Sequence, residues 1–240
     1  MERVNGARRG ALPSGFSIVA LGLLATFALP VVCAPKLLGV AVLKGAEDKS
    51  DLGMLLENQK DRANILGGTG SALTYAGKGH FLALSDRGPN AEKWRSELDN
   101  TTSYVSRFHE IQMEIKPSAP HSTLPLQVTP SLLHTTLLWS EEPLNYGPIT
   151  PSANTPGKYY FSGRSDNFGV SDSLNSLHAR LDPEGICLSK DLKSVFVSDE
   201  YGPHVYQFSR ASGKRERVFR LPEEFGAKNL HPSGEEENKN

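Results

Sequence analysis

The sequence predicts an all-β, β-propeller-like protein, incomplete at roughly three sheet units and led by an N-terminal apolar signal helix. Three observations predict it. From Arg180 to Phe208, RLDPEGICLSKDLKSVFVSDEYGPHVYQF, short alternating runs (Ile186 and Leu188, Val195 and Val197, Val205 to Phe208) are broken by polar turns at Lys190–Asp191 and Gly202–Pro203. Leu73 to Asp86, LTYAGKGHFLALSD, aligns without a gap on Ile186 to Asp199, ICLSKDLKSVFVSD, and both copies run on into a Gly-Pro turn. Repeated sheet units such as propeller blades leave this kind of self-similarity. Finally, Arg3, Arg8 and Arg9 precede an apolar run from about Phe16 to Val32.

That first segment, residues 1–34, reads as a secretory signal with small residues near Cys33-Ala34 for processing. A run of roughly 17 residues also sits at the short edge of what spans a bilayer, and Pro35 makes cleavage after Ala34 awkward. A retained signal anchor is therefore the alternative. The folded domain is expected over 35–222. Leu37–Leu43 reads as a leading strand, and Lys44–Asn64 as a polar stretch with one short helix-like piece at Leu52–Leu56.

Gly67-Gly68-Thr69-Gly70 lacks the Gly-Lys-Ser/Thr of a phosphate loop and leads into a strand, so a tight turn or close chain packing is the better reading. The first hairpin follows, then a polar segment from Asn90 to Thr102 and a strand within Tyr104–Ile115. Leu124–Trp139 contains Pro125 and Pro130, which predicts an edge-like strand, a turn and a second strand. Glu141–Gly157 reads as a long loop, Lys158–Ser162 as a short strand and Gly163–Asn167 as a polar turn. The organising hairpin and a strand at Val218–Leu221 complete the domain, and the polar residues 223–240 are expected to be a disordered tail.

Ser85-Asp86-Arg87-Gly88-Pro89-Asn90, then Asp182-Pro183-Glu184-Gly185-Ile186, then Ser198-Asp199-Glu200-Tyr201-Gly202-Pro203 occur in that order. With these motifs the chain resembles the phytase-like domain family, also called esterase-like activity of phytase, over roughly Leu37 to Pro222. The resemblance implies a secreted or periplasmic propeller-like domain with phosphoester hydrolase activity. Family members generally carry further sheet units, so this chain looks like a shortened member.

A formal net charge of −1, with 38% hydrophobic and 22% charged residues, gives no bulk reason to expect nucleic-acid or anionic-membrane binding. A membrane partner is expected only if the N-terminal segment is retained. Of two cysteines, Cys33 lies at the processing site, which leaves Cys187 without an internal partner. Between Ile186 and Leu188 it reads as a small buried or half-buried thiol. Asn100-Thr101-Thr102 is a glycosylation sequon, meaningful only in a eukaryotic secretory pathway.

In a hairpin spanning Ile186 to Val197, Asp182, Glu184, Asp199 and Glu200 come to the same end of the sheet. Asp86, Asp182, Glu184 and Asp199 are the candidate metal ligands. Such hard oxygens suit Ca²⁺, with its six to eight oxygen ligands and flexible geometry. Glu184, Asp199, Glu200 and His204 are the candidate catalytic groups, His204 as general acid or base. Arg87 and Arg164 are candidates for binding phosphate oxygens bidentately.

Each assignment has a plainer counterpart. Asp at a strand end makes an Asx turn, and Arg beside acids is their counter-ion. Ser85 and Ser198 make turn or cross-strand bonds, there being no Gly-x-Ser-x-Gly elbow. His80, His109, His121, His134 and His178 show no metal-ligand spacing and receive no role.

The leading functional expectation is an exported, metal-assisted hydrolase acting on a small phosphorylated substrate. The rivals are a non-catalytic extracellular binding module and a truncated relative without activity. Open sheet edges predict self-association.

Overall fold

The computed structural model describes residues 34–45, 47–89, 101–146, 150–165 and 173–226. Leu37–Asn240 forms one compact unit, distinct from Met1–Lys36. The expected signal helix, the sequon residue Asn100 and most of the polar tail lie outside the described residues. Among the described residues no helix is long and apolar enough to cross a membrane. Those residues are all-β apart from a 3₁₀ turn at Glu223–Phe225, in three antiparallel sheets, none closed on itself.

The first sheet is a meander of β1 (Thr69–Gly77), β2 (His80–Ser85), β3 (Arg107–Pro117) and β4 (Leu126–Leu137). A two-stranded sheet pairs β5 (Trp139–Ser140) with β6 (Tyr159–Tyr160). The last sheet is a second meander of β7 (Pro183–Leu188), β8 (Ser194–Asp199), β9 (His204–Ser209) and β10 (Arg215–Arg220).

Alternation decides what each strand buries. Leu82 and Leu84 of β2, Phe108 of β3, Ile186 of β7, Val195 and Val197 of β8, and Tyr206 and Phe208 of β9 join one core. Phe161 sits among them, its ring 5.4 Å from Tyr206 and 5.5 Å from Phe208. Single bridges knit the chain between the sheets: Ser162 pairs with Val105 on one side and Arg180 on the other. That pairing sets the approach to β3 beside the approach to β7.

The two hairpins differ by one residue. Leu188 faces Val195 across the second turn, whereas Tyr75 faces Phe81 across the first, which is one residue shorter. The gapless alignment therefore matches β2 with β8 by face but sets β1 out of phase with β7. Leu84 is opposed by Ala72, and Val197 by Ile186. Leu73 and Tyr75 consequently point away from the core that Ile186 and Leu188 join.

Several local expectations change. Leu126–Leu137 is one strand rather than two, because β4 is a sheet edge where the missing N–H of Pro130 costs no ladder bond. Leu52–Leu56 is irregular, and Leu37–Leu43 is extended chain tied to β4 by the Leu126 N–H donating to the Leu38 carbonyl at 2.9 Å. Cys187 is exposed rather than buried. Its neighbours Ile186 and Leu188 take the core face, so the pleat turns the thiol outward.

Residues 47–66 form a strap over one end of the first sheet. Arg107, fully buried, pairs with the buried Asp48, and its guanidinium lies 3.8 Å over the Tyr104 ring. The Lys49 N–H donates to Thr135 Oγ1 at 3.0 Å. Thr135 also holds His109 Nδ1 at 2.9 Å, and the other ring nitrogen meets Ser85 Oγ at 3.1 Å. Leu56 and Ala63 of the strap make a second, smaller core with Tyr104, which precedes β3.

Candidate acidic site

The three sequence motifs meet at one end of the two large sheets, around Asp182. This residue ends the segment that enters β7, and only 1% of it is exposed. Its Oδ1 accepts the backbone N–H of Arg87 at 3.0 Å, and its Oδ2 lies 3.6 Å from the Arg87 guanidinium. Its own N–H donates to Asp199 Oδ1 at 3.1 Å, and its carbonyl accepts the Glu200 N–H at 2.9 Å. The turn after β2 and the turn after β8 are thus both hydrogen-bonded to one buried aspartate.

Backbone shape makes this approach possible. Gly163 packs so closely on the carbonyl of Arg87 that a Cβ at 163 would overlap that oxygen. Gly68, at φ +57°, has no room for a Cβ against the Asp86 carboxylate. The Gly67–Gly70 cluster therefore serves close chain packing, as its sequence context indicates. Tyr201 O–H donates to the Gly163 carbonyl at 3.1 Å, tying the third motif to the segment that packs on Arg87 of the first.

Asp86 and Asp199 occupy matching places in the repeat and do the same thing. The Gly88 N–H donates to Asp86 Oδ1 at 2.8 Å, and the Tyr201 N–H to Asp199 Oδ1 at 3.0 Å. Both are Asx turns. The carboxylates that do converge belong to Asp182, Glu184 and Glu200, with one oxygen of each lying within 4.8 Å of the others. Glu184 and Glu200 are exposed. Ser71 on β1, which the sequence did not single out, donates its hydroxyl to Glu184 Oε2 at 3.1 Å. Its only sequence signal is its place directly after the glycine cluster.

Electrostatics follow from this crowding. Burial pushes the Asp182 carboxyl up to about 7, Arg87 pulls it back, and Glu200 and Glu184 raise it further. Asp199 is also held well above the ordinary carboxylate range, by burial first, against the N–H donors of Asp182 and Tyr201.

The remaining candidates lie deeper. His204 is 2% exposed, its ring 5.5 Å from that of Tyr206 and its Nε2 buried without a hydrogen-bond partner among the described residues. Burial holds its pKa below the ordinary value. Arg164 is likewise 2% exposed, and its N–H donates to Ser162 Oγ at 3.4 Å. Neither belongs to the carboxylate group.

Three hard oxygen donors, with no nitrogen or sulfur ligand beside them among the described residues, suit a divalent cation such as Ca²⁺ or Mg²⁺ rather than zinc. One family model, described as "Phytase-like: Esterase-like activity of phytase", matches residues 64–239. Among curated proteins and solved structures nothing matches the chain. The match takes in all three motifs and both large sheets, and the chain therefore belongs to the phytase-like family.

Proposed function

We propose that the chain is a phytase-like phosphoester hydrolase whose site is the group formed by Asp182, Glu184 and Glu200, with Arg87 beside it. The observation that carries this reading is the convergence of the Glu184 and Glu200 carboxylates on Asp182, the residue to which Arg87 is paired. The donor set fits calcium, which takes carboxylate, hydroxyl and carbonyl oxygens in flexible geometry. When bound, such a cation lowers the charge on a phosphate ester and polarises its phosphorus.

The chain's own groups have separable tasks. Asp182, fixed through both turns, supplies the inner oxygen, and exposed Glu184 and Glu200 supply outer ones. The Arg87 guanidinium, with its side chain 34% exposed, reaches both Asp182 and solvent, so it can receive a phosphate oxygen at the rim. Asp199 acts through position, holding the Asp182 backbone. Asp86 does the same for the turn that carries Arg87. His204 and Arg164 would have to gain access to solvent before either met a substrate.

We further propose a propeller-like stack, with β1–β4 and β7–β10 as successive four-stranded units. Export through residues 1–34, to the periplasm or outside the cell, belongs to the same reading; retained as an anchor, that segment would place the domain at a membrane. The second functional reading, a binding module without catalysis, is favoured by the burial of His204 and Arg164, which keeps the acid–base candidate and one phosphate-binding candidate away from solvent.

The test is hydrolysis of phytate and of a generic phosphate ester, with calcium or with chelator. The intact chain is compared with Glu184→Gln, Glu200→Gln and Asp199→Asn. Calcium-dependent turnover that the two glutamate variants lose is expected. Equal and negligible rates in all samples, with the intact chain folded, would transfer the site to the binding reading.

A further inference from the structure

The first sheet is apolar on both faces, and only one of them is covered. Leu82, Leu84 and Phe108 enter the shared core. On the opposite face the register sets Leu73 and Tyr75 of β1, Phe81 of β2, Met113 and Ile115 of β3, and Val128 of β4 side by side. The strap of residues 47–66 covers the end of this face where Arg107 and His109 lie, and Gly39 of the leading chain lies against Val128 at the β4 edge. At the other end Leu73 is 53% exposed, Tyr75 59% and Ile115 58%.

The alternation there is the pattern of a half-buried sheet. Between the apolar positions stand Gln112, Glu114 and Thr129, which point to the side that carries Leu82, Leu84 and Phe108 and are exposed beyond the end of that core. A strand writes that pattern when one side is meant to be covered. None of the six side chains is charged at neutral pH, so covering them strands no charge.

We infer that this face pairs with the same face of a second copy of the chain. Three strands about 4.8 Å apart give the open patch a footprint of roughly 300 Å² before side-chain relief is counted. Two such faces bury on the order of 600 Å², the size of a weak, transient contact. An uncharged apolar patch is complementary to itself, and a two-fold pairing covers both copies of it at once. Two sheets stacked about 10 Å apart, as in a sandwich, satisfy it geometrically. The area sets a reversible dimer that dilution separates.

Analytical ultracentrifugation of the full chain over a wide dilution series tests this. The expected result is a mass that falls from dimer to monomer on dilution. Ile115→Lys and Leu73→Lys each weaken association by ~10-fold or more, since a two-fold axis brings the new charge near its own copy. Thr129→Lys, on the opposite side, leaves association unchanged. Circular dichroism on each variant confirms that the sheets persist, as substitutions at exposed positions permit. A chain that is monomeric throughout overturns the proposal, as does a dimer indifferent to both lysines. A monomer whose Tyr75 and Ile115 resist hydroxyl-radical labelling also overturns it, and assigns the face to another segment of the same chain.

Discussion

Arg87 and Asp182 are joined twice, once by the Arg87 backbone N–H at 3.0 Å from Oδ1 and once by its guanidinium at 3.6 Å from Oδ2. The first contact fixes the turn; the second offsets the charge of a buried acid. Removing the side chain leaves the first contact and uncovers the charge.

Arg87→Met should therefore cost on the order of 1 kcal/mol at pH 8, a figure kept small because the guanidinium is partly solvated. Near pH 5 the cost should shrink, since Asp182 then carries a proton. Urea unfolding of both chains at the two pH values checks this. A penalty that does not change with pH would mean that the guanidinium does not compensate Asp182.

The Asp182 carboxyl titrates near 7 in the fold and near 3.8 when unfolded. Between those values the folded chain binds more protons, so this group makes the cation-free protein less stable as pH rises from about 4 to 7. Asp182→Asn should flatten that part of the stability curve. Calcium should raise the melting temperature at pH 8 in the intact chain and have less effect in Glu184→Gln. Thermal melts in chelator and in calcium measure both.

His109 has the opposite sign. Burial first, then the neighbouring Arg107, lowers its pKa from 6.5 to about 4. The unfolded chain takes up this proton first, so the contribution is complete above pH 6.5 and is lost as pH falls toward 4. The loss amounts to roughly 3 kcal/mol at most. His109→Gln should remove that share of the acid sensitivity, read as the difference between the two chains' denaturation midpoints over this range.

Asp48→Ala should be among the most damaging single changes, at about 3–5 kcal/mol, because it strands a fully buried guanidinium. The strap of residues 47–66 loses its tie to β3 at the same time. Limited proteolysis should then cut within 51–62 well before the sheets unfold. Cleavage no faster than in the intact chain would show that the strap is held by its apolar contacts instead.

Gly163→Ala should move the Arg87 loop without touching an ionisable group. The added methyl overlaps the Arg87 carbonyl, so a loss of at least ~2 kcal/mol or a displaced loop is expected. Cation binding followed by calorimetry, beside a melt, separates the two outcomes.

Much of the fold was legible because period-two alternation and turn residues declare strands directly. Both hairpins, β9 and the loop from Glu141 were readable this way. The convergence of the three motifs was legible in part: sequence brings Asp182, Glu184, Asp199 and Glu200 to one sheet end. It does not say which of them turn a carboxylate inward to cap a turn, as Asp86 and Asp199 do. The strap was illegible, since nothing in a polar stretch announces that Asp48 pairs with an arginine 59 residues later. His109, to which the sequence assigned nothing, and Arg107 are lone polar residues on an alternating strand, and only tertiary packing decides their burial. Pro130 misled because a sequence does not reveal which strand is an edge.

The one-residue difference between the two hairpin turns decides how a strand pair distributes its apolar residues. In the second hairpin Ile186, Leu188, Val195 and Val197 all lie on one side. The first hairpin splits Leu73 and Tyr75 from Leu82 and Leu84. On the outer side of β7–β10, Phe196 and Phe219 approach with their rings 6.0 Å apart, so neither large sheet has a second side that is wholly polar.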